Sequence, residues 1–330
     1  MSFFAVLMAL VIEQLRPLPR ENLAHEAMLA WTRWVGRNFD AGREHHAWVV
    51  WGLSVLLPAL AAAVVHLLLA RVSVLLSLAW SVLVLYLTLG FRQFSHHYTM
   101  IRDALARGDE TEARRVLAEW RQLDASELPR TELLRHVIEH ALVAAHRHVF
   151  GVFFWFVLLA ALGLGPAGAV LYRLAEFASR YWARRSRTVG VAINERLMQR
   201  SQRMFGAIDH APARLTAFGF AVVGDFEAAI ECWRRDARLW PNANDGILLA
   251  SAAGAVGVRL GGGLPAAVAV EPVAGAAPGA GAAALEGGAG STPGLAPEFG
   301  HLRSVVGLVW RSVVLWLLLL ALLTLSNLIG

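Results

Sequence analysis

Lysine is absent: every one of the 30 Lys/Arg positions is arginine. Without it there is no ammonium for a Walker-type phosphate loop, no Schiff base and no anchor for a pyridoxal cofactor. Guanidinium still grips phosphate or carboxylate through its planar fork, so an anionic ligand stays open. Cysteine is scarce as well. Cys232 stands alone, which excludes an intrachain disulfide and a cysteine-rich metal site. Charged residues make up only 17% of the chain, with a net charge of +5 and a pI near 10.2. No basic stripe with interleaved aromatics accompanies that excess; the arginines alternate with acids along predicted helices. Nucleic acid is therefore not an expected partner, and anionic lipid at a cytoplasmic surface accounts for the charge.

What the chain has in abundance is apolar surface. Hydrophobic residues make up 57% of 330 positions and the mean hydropathy is +0.50, too apolar for a soluble domain. The expectation is an all-α, polytopic integral membrane protein with amphipathic extramembrane helices, multi-pass in a bacterial inner membrane. Residues 2–12 are apolar but too short to cross about 30 Å of hydrocarbon, and no basic n-region or small-residue cleavage site marks a signal peptide. Residues 47–70 and 72–91 read as two spans split by Arg71 and Ser73, with Pro58 as a kink and His66 within reach of the interface. Residues 92–148 turn amphipathic and charged. The block 149–172 is interrupted at Gly163-Leu164-Gly165-Pro166-Ala167-Gly168 and followed by Arg173, Arg180, Arg184, Arg185 and Arg187, a cytoplasmic-side signal. If every block crosses simply, those arginines and the ones at 16–43 fall on opposite sides; a re-entrant third block puts both in the cytoplasm. A last span covers 305–329, with Arg311 snorkelling near its start.

Seven segments follow: an apolar and amphipathic start (1–46), a transmembrane hairpin (47–91), a helical extramembrane region (92–148), a broken or re-entrant segment (149–172), a helical region rich in motifs (173–262), an Ala/Gly/Pro-rich flexible loop (263–299) and a C-terminal transmembrane helix (300–330).

Several constellations carry competing readings. His136-Val137-Ile138-Glu139-His140 has the H-x-x-E-H pattern that sets two imidazoles and a carboxylate on one helical face, as a zinc hydrolase needs, with His146 and His148 beyond it. Chance is the competing explanation, since the chain has 12 histidines and no downstream acidic third ligand; the metal stays unassigned. The glycines at 163–168 match G-x-G-x-x-G, but no strand precedes them and proline follows the second, so a broken membrane helix is the better reading. Gly108-Asp109 and Gly224-Asp225 each precede a helical run and read as N-caps.

Three elements come in a telling order: Pro212-Ala213-Arg214-Leu215-Thr216, then Trp240-Pro241-Asn242-Ala243-Asn244-Asp245-Gly246, then Gly254-Ala255-Val256-Gly257-Val258-Arg259-Leu260-Gly261-Gly262. The second reads as a polar turn. The third reads as a helix whose face of Ala250, Gly254, Gly257 and Gly261 is small enough for a packed helix or a flat ligand. Arg214 and Arg259 are placed to pair with phosphate or carboxylate, or to snorkel. In this order the elements resemble the CobD/CbiB cobalamin-biosynthesis family. The resemblance implies a membrane protein that joins aminopropanol, or its phosphate, to a corrinoid propionate, using ATP and magnesium. It implies a substrate loop shaped by Asn244 and Gly246, anion contacts from Arg214 and Arg259, and catalytic roles for Glu139 and for Asp209, the latter aiding metal or amine binding.

The chain departs from the family's pattern at several points. Where the family carries an acidic E-N-x-x-D-G motif, Val143-Ala144-Ala145-His146-Arg147-His148 stands here, and only Glu139 survives upstream. Where it carries N-T-x-D, Leu174-Ala175-Glu176-Phe177-Ala178 stands. An N-terminal H-P-V and a tyrosine-glycine element after Gly262 are missing. A magnesium-ATP ligase needs carboxylates, so the losses point to altered or absent catalysis. The opening residues 2–15 look more like the related AmpE group of inner-membrane regulatory proteins, which implies as an alternative a non-catalytic sensor.

Overall fold

The computed structural model describes residues 2–16, 23–40, 44–121, 124–185, 195–262 and 290–329. Arg187, and the flexible loop read at 263–299 as far as residue 289, lie outside them. Among the described residues the regular elements are helical: α1 (Ser2–Leu15), α2 (Leu23–Phe39), α3 (Glu44–Val72), α4 (Val74–Thr88), α5 (Phe91–Ala106), α6 (Glu110–Arg121), α7 (Arg130–Ala145), α8 (Gly151–Ala161), α9 (Ala167–Arg185), α10 (Glu195–Ile208), α11 (His210–Val223), α12 (Phe226–Asp236), α13 (Ala243–Val256) and α14 (Phe299–Ile329). Extended pairing among the described residues is confined to isolated bridges, Val258 with Leu295 and Gly261 with Ser291.

Three helical stretches are long and apolar enough to cross a membrane: His45–Val72, Arg130–Ala161 and Phe299–Ser326. Their outward faces are apolar too. In α3, Leu60 and Leu68 expose 61% and 60% of their area, and in α14 Leu318 and Leu323 expose 57% and 59%. In water each such side chain would forgo roughly 1–2 kcal/mol, the exposed share of what full burial gives; in hydrocarbon nothing is lost. The chain is an all-α membrane protein.

Local chemistry sets the helix ends. Ser73 Oγ accepts from Leu75 N at 3.2 Å and starts α4, and Leu89 stops it in an extended conformation. At 15 residues, α4 rises about 22 Å, less than the span read from residues 72–91. The predicted boundary at 148/149 falls within continuous helix, because α7 runs into α8 through a π-helical turn, His146–Phe150. The interruption comes at 162–166, with Gly163 and Gly165 at φ +79° and +57°. Both Gly-Asp starts are caps: Asp109 Oδ1 accepts from Glu112 N at 2.9 Å, and Asp225 Oδ1 from Ala228 N at 3.0 Å.

The chain divides into two compact units. The first comprises Met1–His96, Ala144–Pro212 and Val313–Gly330. Its core is built where α8 and α9 pack closely: Phe150, Phe153, Phe156 and Tyr172 are fully buried, and a Cβ at Gly151 would fall 2.1 Å from the Tyr172 ring. The second comprises His97–Val143 and Ala213–Ser312. Its centre is the pair α12 and α13, with Ser251 Oγ of α13 donating to the Ala217 carbonyl of α11 at 2.7 Å.

One expectation is corrected in the second unit. The glycine-rich helix read through Gly262 ends at Val256, because Gly257 takes the left-handed conformation (φ 73°) and its N–H caps the Ala253 and Gly254 carbonyls. Residues 258–262 are an extended strap, bound through Arg259 N to Leu295 O (2.8 Å), Thr292 N to Leu260 O (2.8 Å) and Gly262 N to Gly290 O (2.8 Å). Asn244 and Gly246, read as parts of a turn, lie in the first turn of α13, whose N-cap is Asn242.

Candidate functional site

In the second unit Glu139, on the buried side of α7, accepts from Gly261 N at 2.8 Å and from Arg135 Nη1 at 3.4 Å. Arg135 Nη1 also donates to the Gly262 carbonyl at 3.1 Å, and its Nε donates to Glu132 at 2.9 Å. Carboxylate and guanidinium together clasp the strap from both its N–H and its C=O side. The other members of the H-x-x-E-H pattern turn elsewhere. Nδ1 of His136 receives a hydrogen bond from Arg121 Nη1 at 2.7 Å, and His140 lies edge-on to Trp120, ring centroids 4.5 Å apart.

Of the expected substrate-binding residues, Arg214 and Asn244 meet, and Arg259 stands apart. Arg214 of α11 donates to Asn244 Oδ1 at 3.4 Å. Asn244 is buried, and Asn242 Oδ1 accepts from the Asn244 and Asp245 N–H groups at 3.0 and 3.3 Å. Gly246 is fixed by packing, since a Cβ there would stand 2.0 Å from the Ala237 carbonyl oxygen. At Gly254 a Cβ would stand 2.3 Å from the Ala228 carbonyl oxygen, so this small face of α13 is occupied by α12. Arg259 sits on the strap with its side chain exposed.

Asp209 belongs to the first unit, at the junction of α10 and α11, and is 1% exposed. Its Oδ1 lies 2.8 Å from His146 Nε2 and accepts from Tyr172 Oη at 2.7 Å. Burial would raise its pKa, but the attraction of His146, the hydrogen bonds from His146 and Tyr172 and the charge of Arg147 outweigh it and hold the carboxyl below its usual range. One turn along α9 from Tyr172, buried Glu176 accepts from Arg173 Nη1 at 3.3 Å and Arg180 Nη2 at 2.9 Å. Desolvation opposes its ionisation too, and the guanidiniums of Arg180, Arg173 and Arg147 again win.

In the sequence His146 stands out only as a histidine beyond the H-x-x-E-H pattern and Arg173 only as a topology signal, and Tyr172 and Glu176 are not among the expected site residues. A signal was present for Glu176: an acid in an apolar helix with arginine three residues before and four after it shares one helical face with both. None marked the π turn that carries His146, a local device often found at functional sites.

Magnesium needs carboxylate oxygens with free lone pairs. Here Asp209, Glu176 and Glu139 are each engaged by cations or N–H and O–H donors, and no three His, Cys, Asp or Glu side chains converge among the described residues. These residues do not fit a magnesium site, whereas the arginines around them fit an anion.

Fold and site together define a helical membrane protein with an ionised network buried in each unit. The profile of the CobD/Cbib protein matches residues 3–265. The chain is 33% identical over 331 residues to the cobalamin biosynthesis protein CobD of Stutzerimonas stutzeri (strain A1501), covering 96% of each chain. It is 35% identical over 192 residues to the protein of the same name from Chromobacterium violaceum, covering 57% of each, and 25% identical over 187 residues to that of Leptospira interrogans. No solved structure matches. The chain belongs to the CobD/CbiB family. The match begins at residue 3 and so takes in the opening helix on which the AmpE-like alternative rested; that alternative is not favoured.

Proposed function

We propose that this chain works in cobalamin biosynthesis as a multi-pass protein of a bacterial inner membrane, at the step that joins aminopropanol or its phosphate to a corrinoid propionate. The observation that carries the reading is near end-to-end similarity to a CobD protein, 96% of both chains. An amine must lose a proton before its nitrogen attacks a carboxyl carbon. Asp209, an anion hydrogen-bonded to His146 and with a depressed pKa, suits holding that amine by charge before the proton is lost and not taking up the proton itself. Arg214, held by Asn244, suits the phosphate of an aminopropanol phosphate or a corrinoid carboxylate. Glu139 serves as the clasp of the strap. No step is derived through ATP or magnesium.

A strain lacking the gene and fed cobyric acid tests the reading. It is expected to make no cobinamide, to recover with the wild-type gene and to stay deficient with Asp209→Asn. Corrinoid binding to detergent-purified protein is expected to weaken at least tenfold in Asn244→Ala. Unchanged cobinamide in the deletion strain would refute the assignment.

A further inference from the structure

Within the first unit, α2, α3, α4 and α9 line an open cavity of about 600 Å³, bordered by Trp31, Pro58, Ala61, Ala62, Trp80 and Arg173 among others. The sequence explains why these helices stand apart. Pro58, inside α3, has no N–H for the carbonyl one turn before it and pushes that turn away. Small residues, Ala61 and Ala62, follow on the same wall. The indoles of Trp31 and Trp80 are anchored by Nε1 to the Leu53 and Ala62 carbonyls of α3, both at 3.2 Å, and present their rings as walls. Because α3 lies within a stretch able to cross the membrane, this space opens among hydrocarbon, and its natural filling is an acyl chain.

Arg173 breaks the apolar lining, and its pairing is incomplete. It is 8% exposed, and among the described residues its only hydrogen bond runs from Nη1 to Glu176. Glu176 is shared with the partly exposed Arg180, so around this carboxylate two guanidiniums stand against one negative charge. A buried guanidinium such as that of Arg173, sharing its carboxylate beside hydrocarbon, is costly until a further anion meets it, and basic recesses between membrane helices take anionic headgroups for that reason. We infer that the cavity binds one acyl chain of an anionic phospholipid from the bilayer, with the lipid phosphate against the edge of the Arg173 guanidinium that meets no acceptor among the described residues. Such a lipid complements both the apolar volume and the unmatched charge.

Native mass spectrometry of the full chain in detergent, titrated with dioleoyl-phosphatidylglycerol or dioleoyl-phosphatidylcholine, tests this. One phosphatidylglycerol per chain is expected to be retained at least fivefold more tightly than phosphatidylcholine. Ala61→Phe, which fills the cavity from an exposed wall position, is expected to abolish retention, and Arg173→Gln to bring the preference below twofold. Val65→Trp is a second filling variant should Ala61→Phe lose its helical circular dichroism. Equal retention of the two lipids, retention unmoved in a folded filling variant, or equal competition by oleate would overturn the inference.

Discussion

A single methyl group at Gly246 tests how α13 is seated. Its Cβ would lie 2.0 Å from the Ala237 carbonyl oxygen, an obstacle that no rotamer change removes because both partners are backbone. Overpacking of this kind costs roughly 1–3 kcal/mol and more where backbone must move. Gly246→Ala is expected to lose at least about 2 kcal/mol, seen as a lower unfolding midpoint by circular dichroism in detergent; an unchanged midpoint would mean that the helix slides without penalty. Asp209 makes the complementary electrostatic case. Its folded pKa is depressed, so its contribution is fully present above the unfolded carboxyl value of about 4 and is lost as pH falls through the folded value. Asp209→Asn is expected to cost about 3 kcal/mol near neutral pH, and the gap to wild type to stay constant down to about pH 5 and close below about pH 4. A gap independent of pH would show that shape, not charge, is what Asp209 supplies. The Arg214 and Asn244 segments stand out in the sequence because each carries a distinctive residue order. The His146–Asp209–Tyr172 group was not, since its contacts join residues 63 and 37 positions apart, and hydrophobic periodicity carries no trace of a π turn.

Among the elements, the strap at 258–262 shows why spacing alone misled. Glycines at 254, 257 and 261 recur at intervals a helix would use, yet the same spacing is satisfied when Gly257 ends the helix in the left-handed region and the chain leaves extended. Sequence patterning distinguishes small from large; it does not distinguish a small residue in a helix interior from one at its C-cap. What fixes the strap is distant: Glu139, 122 residues away, accepts the Gly261 N–H. Removing that acceptor leaves a buried donor unsatisfied, at about 1–3 kcal/mol. Hydrogen exchange at Gly261 is therefore expected to quicken about tenfold or more in Glu139→Ala. Glu139→Gln, which keeps an oxygen in place, is expected to retain most of the protection. Equal exchange in the two variants would show that the pairing with residues 290–295 holds the strap unaided. The caps at Asp109 and Asp225, by contrast, were readable because an N-cap is a local event: the aspartate, the glycine before it and the donor it meets all lie within a few residues.

At the scale of the whole molecule, composition was the strongest guide, because solvent choice is an average over hundreds of side chains. Excess apolar surface that stays outward in α3 and α14 can be reconciled only with hydrocarbon around it. The single cysteine offers a direct reading of the rest. Cys232 is 3% exposed, held in α12, and burial, aided by the negative charge of Asp236, pushes its thiol up to about 11. Thiolate is the reacting species, so burial and protonation both suppress modification while the second unit is folded. Maleimide at pH 7.5 is expected to leave wild type unlabelled in mild detergent and to label it once per chain after denaturation. Gly246→Ala, destabilised beside α12, is expected to label faster than wild type under native conditions, in proportion to its opened fraction. Prompt labelling of folded wild-type protein would show that α12 opens independently, and would make thiol reactivity a measure of that local opening instead of global unfolding.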